Sequence, residues 1–141
     1  EVAGKPENAR LFMLHNVCAS FKATHELELK GQVDIASLEG VGNQDALSYM
    51  GLSVQGKYEF TDKIGAALRF AYVDNEKALF APEVKGMEIT LGLDYKPAPI
   101  SYIKLEGRMF SFDDKYKIFE VGHEPSASAM EVSLNFGVIL E

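Results

Sequence analysis

The chain lacks the features on which several common classes of protein depend. Its one cysteine, Cys18, excludes an internal disulfide and argues against a thiolate metal site. No window approaches the roughly 18 consecutive apolar residues of a transmembrane helix. Basic residues number 14 against 21 acidic ones and form no cluster, so no nucleic-acid partner is expected. The start shows no signal peptide, which predicts a chain that is cytosolic, already processed or a fragment.

What the chain does have is a strict alternation of apolar and polar residues. At 141 residues it is expected to form one domain, with 1–9 as an amino-terminal extension or loop and the strands within 10–140. A helical spacing fits poorly, whereas the alternation of a strand fits seven segments. These segments are 10–22, 25–36, 48–60, 64–73, 86–95, 101–112 and 128–140. The sequence therefore predicts an all-β fold, with an antiparallel up-and-down arrangement of strands.

This alternation fits two architectures that are inside-out versions of each other. A soluble barrel or sandwich buries the apolar rows, whereas an outer-membrane barrel turns them to lipid and lines its lumen with the charged rows. Soluble antiparallel proteins are far commoner. The apolar rows, however, run for about 10 to 13 residues, which is enough to cross a bilayer and about twice the typical soluble strand. Strand length therefore favours a transmembrane barrel.

The connections between the segments alternate strictly between short and long. The short ones are 22–25, 61–63 and 96–100, and the long ones are 36–48, 73–86 and 112–129. Outer-membrane barrels show this asymmetry, with short periplasmic turns and longer extracellular loops. Outward-pointing aromatic residues also gather at strand ends, either as a belt at the membrane interface or as part of a soluble core. The predicted lipid-facing belt comprises Phe21, Tyr58, Phe60, Tyr72 and Tyr95.

Two stretches of the chain resemble a known family. They are "GLSVQGKYEFTDKIGAALRFAYVDNE" (51–76) and "MEITLGLDYKPAPISYIKLEGRMFSFDD" (87–114), and a final alternating strand follows them. Over roughly 47–140 this pattern resembles the carboxyl-terminal part of the OmpL-like bacterial β-barrel porins, the putative β-barrel porin-2 family. The resemblance implies a pore-forming barrel of the bacterial outer membrane that is not an enzyme.

The number of strands leaves two arrangements open. Intact bacterial barrels have an even number of strands, and seven are visible. Either residues 115–121 form an eighth strand that closes a small barrel, or the chain is part of a larger barrel whose other strands are absent or lie in another chain. An open sheet would leave unsatisfied edge groups in lipid. Outer-membrane lipid, the barrel assembly machinery and chains that complete or surround the barrel are therefore the expected partners.

Residues that alternate with the apolar rows are predicted to line the lumen. Lys104, Glu106 and Arg108 are expected within reach of Glu88 and Asp94, because opposite side chains on paired strands lie about 5 Å apart. Such a wall would fill a narrow barrel with ion pairs or line a wider channel with a mild preference for cations. The predicted lumen residues are Glu26, Glu28, Lys30, Asp34, Lys57, Glu59, Arg69, Glu88, Asp94, Lys104, Glu106, Arg108 and Glu131.

No catalytic or metal-binding constellation is found in the sequence. Cys18 and His15 are three residues apart on a strand and point to opposite faces, so a nucleophile and base would not meet. No cofactor is predicted. Three functions therefore stand: a porin or porin fragment for small polar solutes or ions, a small closed outer-membrane barrel that anchors or scaffolds a complex, and a soluble lipocalin-like barrel that binds an apolar ligand.

Overall fold

Residues 10–40, 45–80 and 82–138 are described by the computed structural model, and they form nine strands. The predicted extension at 1–9 and positions 139–140 of the last predicted strand lie outside the described residues. No helix in the described ranges is long and apolar enough to cross a membrane. The strands are β1 (Phe12–Lys22), β2 (Leu27–Leu38), β3 (Leu47–Glu59), β4 (Ile64–Asp74), β5 (Lys85–Tyr95), β6 (Ser101–Phe112), β7 (Phe119–Val121), β8 (Glu124–Ser126) and β9 (Ser128–Val138).

Seven long strands form one antiparallel up-and-down sheet in the order β1-β2-β3-β4-β5-β6-β9. Each pairs with its neighbours over nearly its whole length, which confirms the predicted all-β antiparallel fold. The sheet is not closed, because β1 and β9 each have one neighbour among the described strands. Direction alternates from strand to strand, so β1 and β9 run parallel. An all-antiparallel barrel therefore needs an odd number of further strands between them.

The register assigns every residue of the sheet to one of two faces, because side chains alternate along each strand. One row of the apolar face is paired directly across all seven strands. That row consists of Phe21, Leu29, Gly56, Leu68, Leu91, Gly107 and Val132. The adjacent row of the opposite face, called here the charged face, consists of Ser20, Lys30, Gln55, Arg69, Thr90, Arg108 and Glu131.

The apolar face does not pack into a core. Among the described residues, Ala36 and Tyr116 are the only buried apolar residues, whereas Leu91 is 55% exposed and Phe136 is 81% exposed. The charged face is the better covered of the two, since Thr90 and Glu106 are only 6% and 7% exposed. Cavities lie along the charged face from β1 to β6. The sheet therefore curves towards its charged face, and the apolar face is convex.

The three short turns lie together at one end of the sheet, and in each a side-chain hydroxyl accepts a hydrogen bond from a backbone N–H. Thr24 Oγ1 accepts a hydrogen bond from the backbone N–H of Leu27, and Thr61 Oγ1 accepts one from Ile64, each at 3.0 Å. In the third turn Ser101 Oγ accepts from the N–H of Ala98 at 3.2 Å. Hydroxyl groups of this kind satisfy backbone donors that a tight turn leaves free. This end is called the short-turn end, and the opposite one the long-loop end.

Residues 115–121, the candidate eighth strand of the barrel, do not join the main sheet. In the connection between β6 and β9, β7 pairs only with β8, so the arrangement in which 115–121 closes a small barrel is wrong. Gly122 and His123 link these two strands and both have positive φ angles, 60° and 70°. This is the two-residue turn whose twist matches a tight hairpin. The segment therefore folds back on itself instead of spanning the sheet.

Candidate functional site

The residues predicted to line a lumen lie together on the charged face. Every one of them except Glu26 is within a strand, and the register places them on the same side of the sheet. Glu26 lies in the first short turn, where it lines one cavity with Glu28 and Glu59 and a second cavity with Glu59. Their shared face is thus a structural fact, while their contact with a lumen remains a prediction.

The charges of this face form compensated clusters. Glu106 accepts from Lys104 and Arg108, each with a nitrogen 2.6 Å from a carboxylate oxygen. Arg69 binds Glu88, whose carboxylate also accepts from the hydroxyl of Thr90 at 2.5 Å. Ion pairs with good geometry allow charges to sit on a partly covered surface at little cost. The charged face is thus polar, and neither sign of charge is in large local excess on it.

The expected pairing across the β5–β6 hairpin is only partly found. Asp94 lies directly opposite Lys104 in the register, as predicted. Lys104 and Arg108 nevertheless bind Glu106 of their own strand, and a carboxylate oxygen of Asp94 lies 4.0 Å from the Lys57 ammonium nitrogen on β3. Side chains two apart on one strand share a face, so a long lysine or arginine can reach either neighbour.

The residues predicted to form a lipid-facing belt lie as the pattern indicates. Phe21, Tyr58 and Tyr95 are exposed on the apolar face at the short-turn end. There the ring of Phe60 packs edge-on against that of Tyr58, with 5.1 Å between the ring centroids. Tyr72 is on the same face at the long-loop end. Amphipathic rings at both ends of an apolar band are typical of membrane interfaces. Their contact with lipid remains a prediction.

A second set of aromatic residues, on the charged face, was missed in the sequence. Tyr49, Tyr102, Phe110 and Phe112 share the parity of the charged residues. Three of these rings cover a glycine: Tyr49 lies over Gly51, Phe112 over Gly86 and Tyr102 over Gly137. The pairs of Phe112 and Tyr102 are cross-strand, whereas Tyr49 and Gly51 are two residues apart on β3. In each pair the ring fills the space that a missing side chain leaves. The signal was present, since each ring lies an even number of residues from a charged residue of the same strand.

The long-loop end is held together by contacts between two connections. Asn75, only 2% exposed, donates to the carbonyl of Pro82 at 2.8 Å and accepts from the N–H of Phe80 at 3.2 Å. Glu76 binds Lys115 and accepts from the Tyr116 hydroxyl at 3.2 Å. The hydrogen bonds from Lys115 and then Lys85 lower the pKa of the Glu76 carboxyl from 4.5 to about 2. The same contact raises the pKa of Lys115.

The connection that follows β6 also folds over the charged face. The ring of Phe119 lies 5.4 Å from that of Phe110 and 5.7 Å from that of Phe112, measured between centroids. Both partners are on the charged face of β6. This packing places part of the β7–β8 hairpin against the concave side of the sheet at the long-loop end.

The fold is an open antiparallel up-and-down sheet with a charged face and an exposed apolar face, an arrangement consistent with the wall of a β-barrel. The chain matches the family described as "Putative beta-barrel porin-2, OmpL-like" over residues 3–140. It belongs to this family, and the match begins well before residue 47, where the resemblance in sequence became visible. No curated protein and no solved structure matched the chain. Membership supports an outer-membrane, porin-like role of a non-enzymatic kind.

Proposed function

We propose that the chain forms part of the wall of an outer-membrane pore through which small polar solutes or ions diffuse passively. The charged face lines the water-filled lumen, and the apolar face contacts lipid. The proposal rests chiefly on one observation: the sheet curves towards its charged face and leaves the apolar side chains exposed on the convex side. A soluble lipocalin-like barrel needs the opposite arrangement, because its apolar ligand lies inside.

Strand length supports the same placement. The seven strands of the sheet have 11 to 13 residues each. About 9–11 tilted residues suffice to cross the hydrocarbon core of a bilayer. A backbone group that stays unpaired in that core costs several kcal/mol, so the outer edges of β1 and β9 need strand partners. We propose that further strands, of the same or another chain, complete the barrel.

Location and partners follow from this proposal. The protein resides in the bacterial outer membrane, reaches it through the barrel assembly machinery and is surrounded by its lipid. The short-turn end faces the periplasm and the long-loop end faces outwards, as in other outer-membrane barrels.

Planar-bilayer recording tests the pore directly. The purified full-length protein, folded in detergent and then inserted into a bilayer, is expected to produce stepwise increases in conductance. A salt gradient should give a reversal potential with a mild cation preference, because acids outnumber bases among the predicted lumen residues. Protein that inserts into the bilayer but never conducts would contradict the pore and favour the anchoring or scaffolding barrel. Recovery of folded protein from the aqueous phase without detergent would contradict both.

A further inference from the structure

A cavity of about 270 Å³ lies on the charged face near the long-loop end. Its floor is made of Gly51, Ser53, Ala71, Val73 and Gly86, and the aromatic residues Tyr49, Phe110 and Phe112 also line it. This volume is close to the lower end of the range for small-molecule sites, about 300 Å³. The cavity therefore suits a small solute rather than a polymer.

Two of these rings stand on either side of a gap one strand wide. Tyr49 lies over Gly51 on β3, since a Cβ atom on that glycine would be 2.8 Å from the Tyr49 hydroxyl oxygen. Phe112 lies over Gly86 on β5, where a Cβ atom would be 2.5 Å from the Phe112 ring. Gly51 and Gly86 both pair with Val73 of β4, so they are separated by two strand spacings, or roughly 10 Å. The Val73 side chain shares this face, and a solute resting on it would be about 5 Å to the side of both positions, within the roughly 6 Å over which a cation is attracted to an aromatic face.

The charges around the cavity select for positive solutes. Asp34 and Glu88 line the cavity. Among the residues that the structure describes, no lysine or arginine lines it. Asp34 accepts hydrogen bonds from the amide groups of Asn16 and Gln32, the latter at 2.8 Å, but has no ion pair within the described chain. Its negative charge is therefore oriented but not neutralised. Glu88 in contrast is paired with Arg69.

From these contacts we infer that the cavity is a binding site for small organic ammonium ions on their way through the pore. The ammonium group lies above β4 between the rings of Tyr49 and Phe112, in the field of Asp34. Aromatic faces together with a carboxylate recognise alkylated ammonium groups by cation–π attraction and charge, while an inorganic cation keeps its water and gains less from the rings. This inference rests on the proposed pore and names a class of solute for it.

The test compares two molecules of the same shape that differ in charge. Choline carries a trimethylammonium group, and 3,3-dimethylbutan-1-ol carries a neutral tert-butyl group in its place. Choline added on the long-loop side is expected to interrupt the single-channel current at concentrations where the alcohol has no effect. Saturation-transfer NMR on the full-length protein in detergent should show the choline methyl groups, and not those of the alcohol, in contact with protein.

Variants locate the site. Tyr49→Leu is expected to weaken choline binding by about fivefold or more, since it removes one aromatic face. Asp34→Asn should weaken it as well, because it removes the uncompensated charge. Tyr102→Leu is the matched control: Tyr102 also lies over a glycine of the charged face, Gly137, but at the short-turn end, so binding should not change. Tyr49→Phe keeps the ring and should keep binding, which separates a lost contact from a lost fold.

The outcomes distinguish this inference from the pore itself. Steady conductance with no choline effect, or an equal effect of choline and the neutral alcohol, overturns the ammonium site and leaves the pore intact. Binding of a neutral sugar such as glucose in preference to choline also overturns it. Choline binding in NMR by a protein that does not conduct supports the site and contradicts the pore.

Discussion

The free-energy cost of a lysine substituted on the apolar face shows whether that face contacts lipid or water. Leu91 lies one residue from the middle of β5, on the apolar face. In a strand tilted by about 40° each residue advances about 2.6 Å along the membrane normal, so the strand end at Tyr95 is about 13 Å from the middle. That is half of the roughly 25 Å apolar band of an outer-membrane barrel. If the proposed barrel is right, Leu91 is thus expected near the midplane and Tyr95 near the interface.

The cost of the charge is expected to follow this depth. At the midplane a lysine on the lipid face costs about 2–4 kcal/mol and near the interface about 0–1 kcal/mol. Leu91→Lys should therefore reduce the folding equilibrium constant by about 30- to 1,000-fold. Leu93→Lys should have a smaller effect, and Tyr95→Lys, after subtraction of the lost ring, a small one. Urea titration of the protein in lipid vesicles, followed by tyrosine fluorescence and by gel mobility, gives these values.

Equal effects at the three positions would refute the assignment of this face to lipid. If the face were in water, Leu91→Lys would replace a side chain that is already 55% exposed. Such surface changes are usually within about 0.5 kcal/mol. A neutral result at Leu91 would therefore place the apolar face in an aqueous environment.

Three further predictions concern the ends of the sheet. Gly86→Ala should destabilise the protein by about 1–3 kcal/mol in chemical denaturation, because the new Cβ would lie 2.5 Å from a backbone oxygen. The control Gly107→Ala should be tolerated, because a Cβ there meets no atom within 4 Å. The Glu76 carboxyl should titrate near pH 2 in carbon NMR. Its contribution to stability should therefore be complete above about pH 4.5 and be lost as the pH falls through about 2. Lys115→Met should raise the titration midpoint of Glu76. Asn75→Ala should speed amide exchange in residues 76–84 but not in the strands, since three backbone groups lose their partner.

The sequence was enough to predict the sheet because each long strand has its own alternation. A single register then determines both faces, so the side of Arg69 or Glu106 follows from its neighbours in sequence. The sorting of connections into short and long also depends only on positions along the chain. These features do not require knowledge of contacts between distant residues.

Other features depended on such contacts and were missed or wrong. The aromatic residues of the charged face were not predicted, although Phe110 and Phe112 continue the parity of Arg108 in β6. The contact of Glu76 with Lys115 joins two connections 39 residues apart and has no periodic signal. The hairpin of β7 and β8 follows from the positive φ of Gly122 and His123, and a turn of this kind can be suspected from sequence but not its pairing.

Cys18 provides the most direct test of the account, since it lies on the charged face of β1 and is exposed. In the protein inserted in lipid vesicles, a charged, water-soluble thiol reagent should modify Cys18. Its neighbour Val17 lies on the apolar face, so a Val17→Cys variant made in a Cys18→Ser background should resist the same reagent and react only after the membrane is dissolved. Labelling of position 17 and protection of position 18 in intact vesicles would show that the charged face does not line an aqueous lumen.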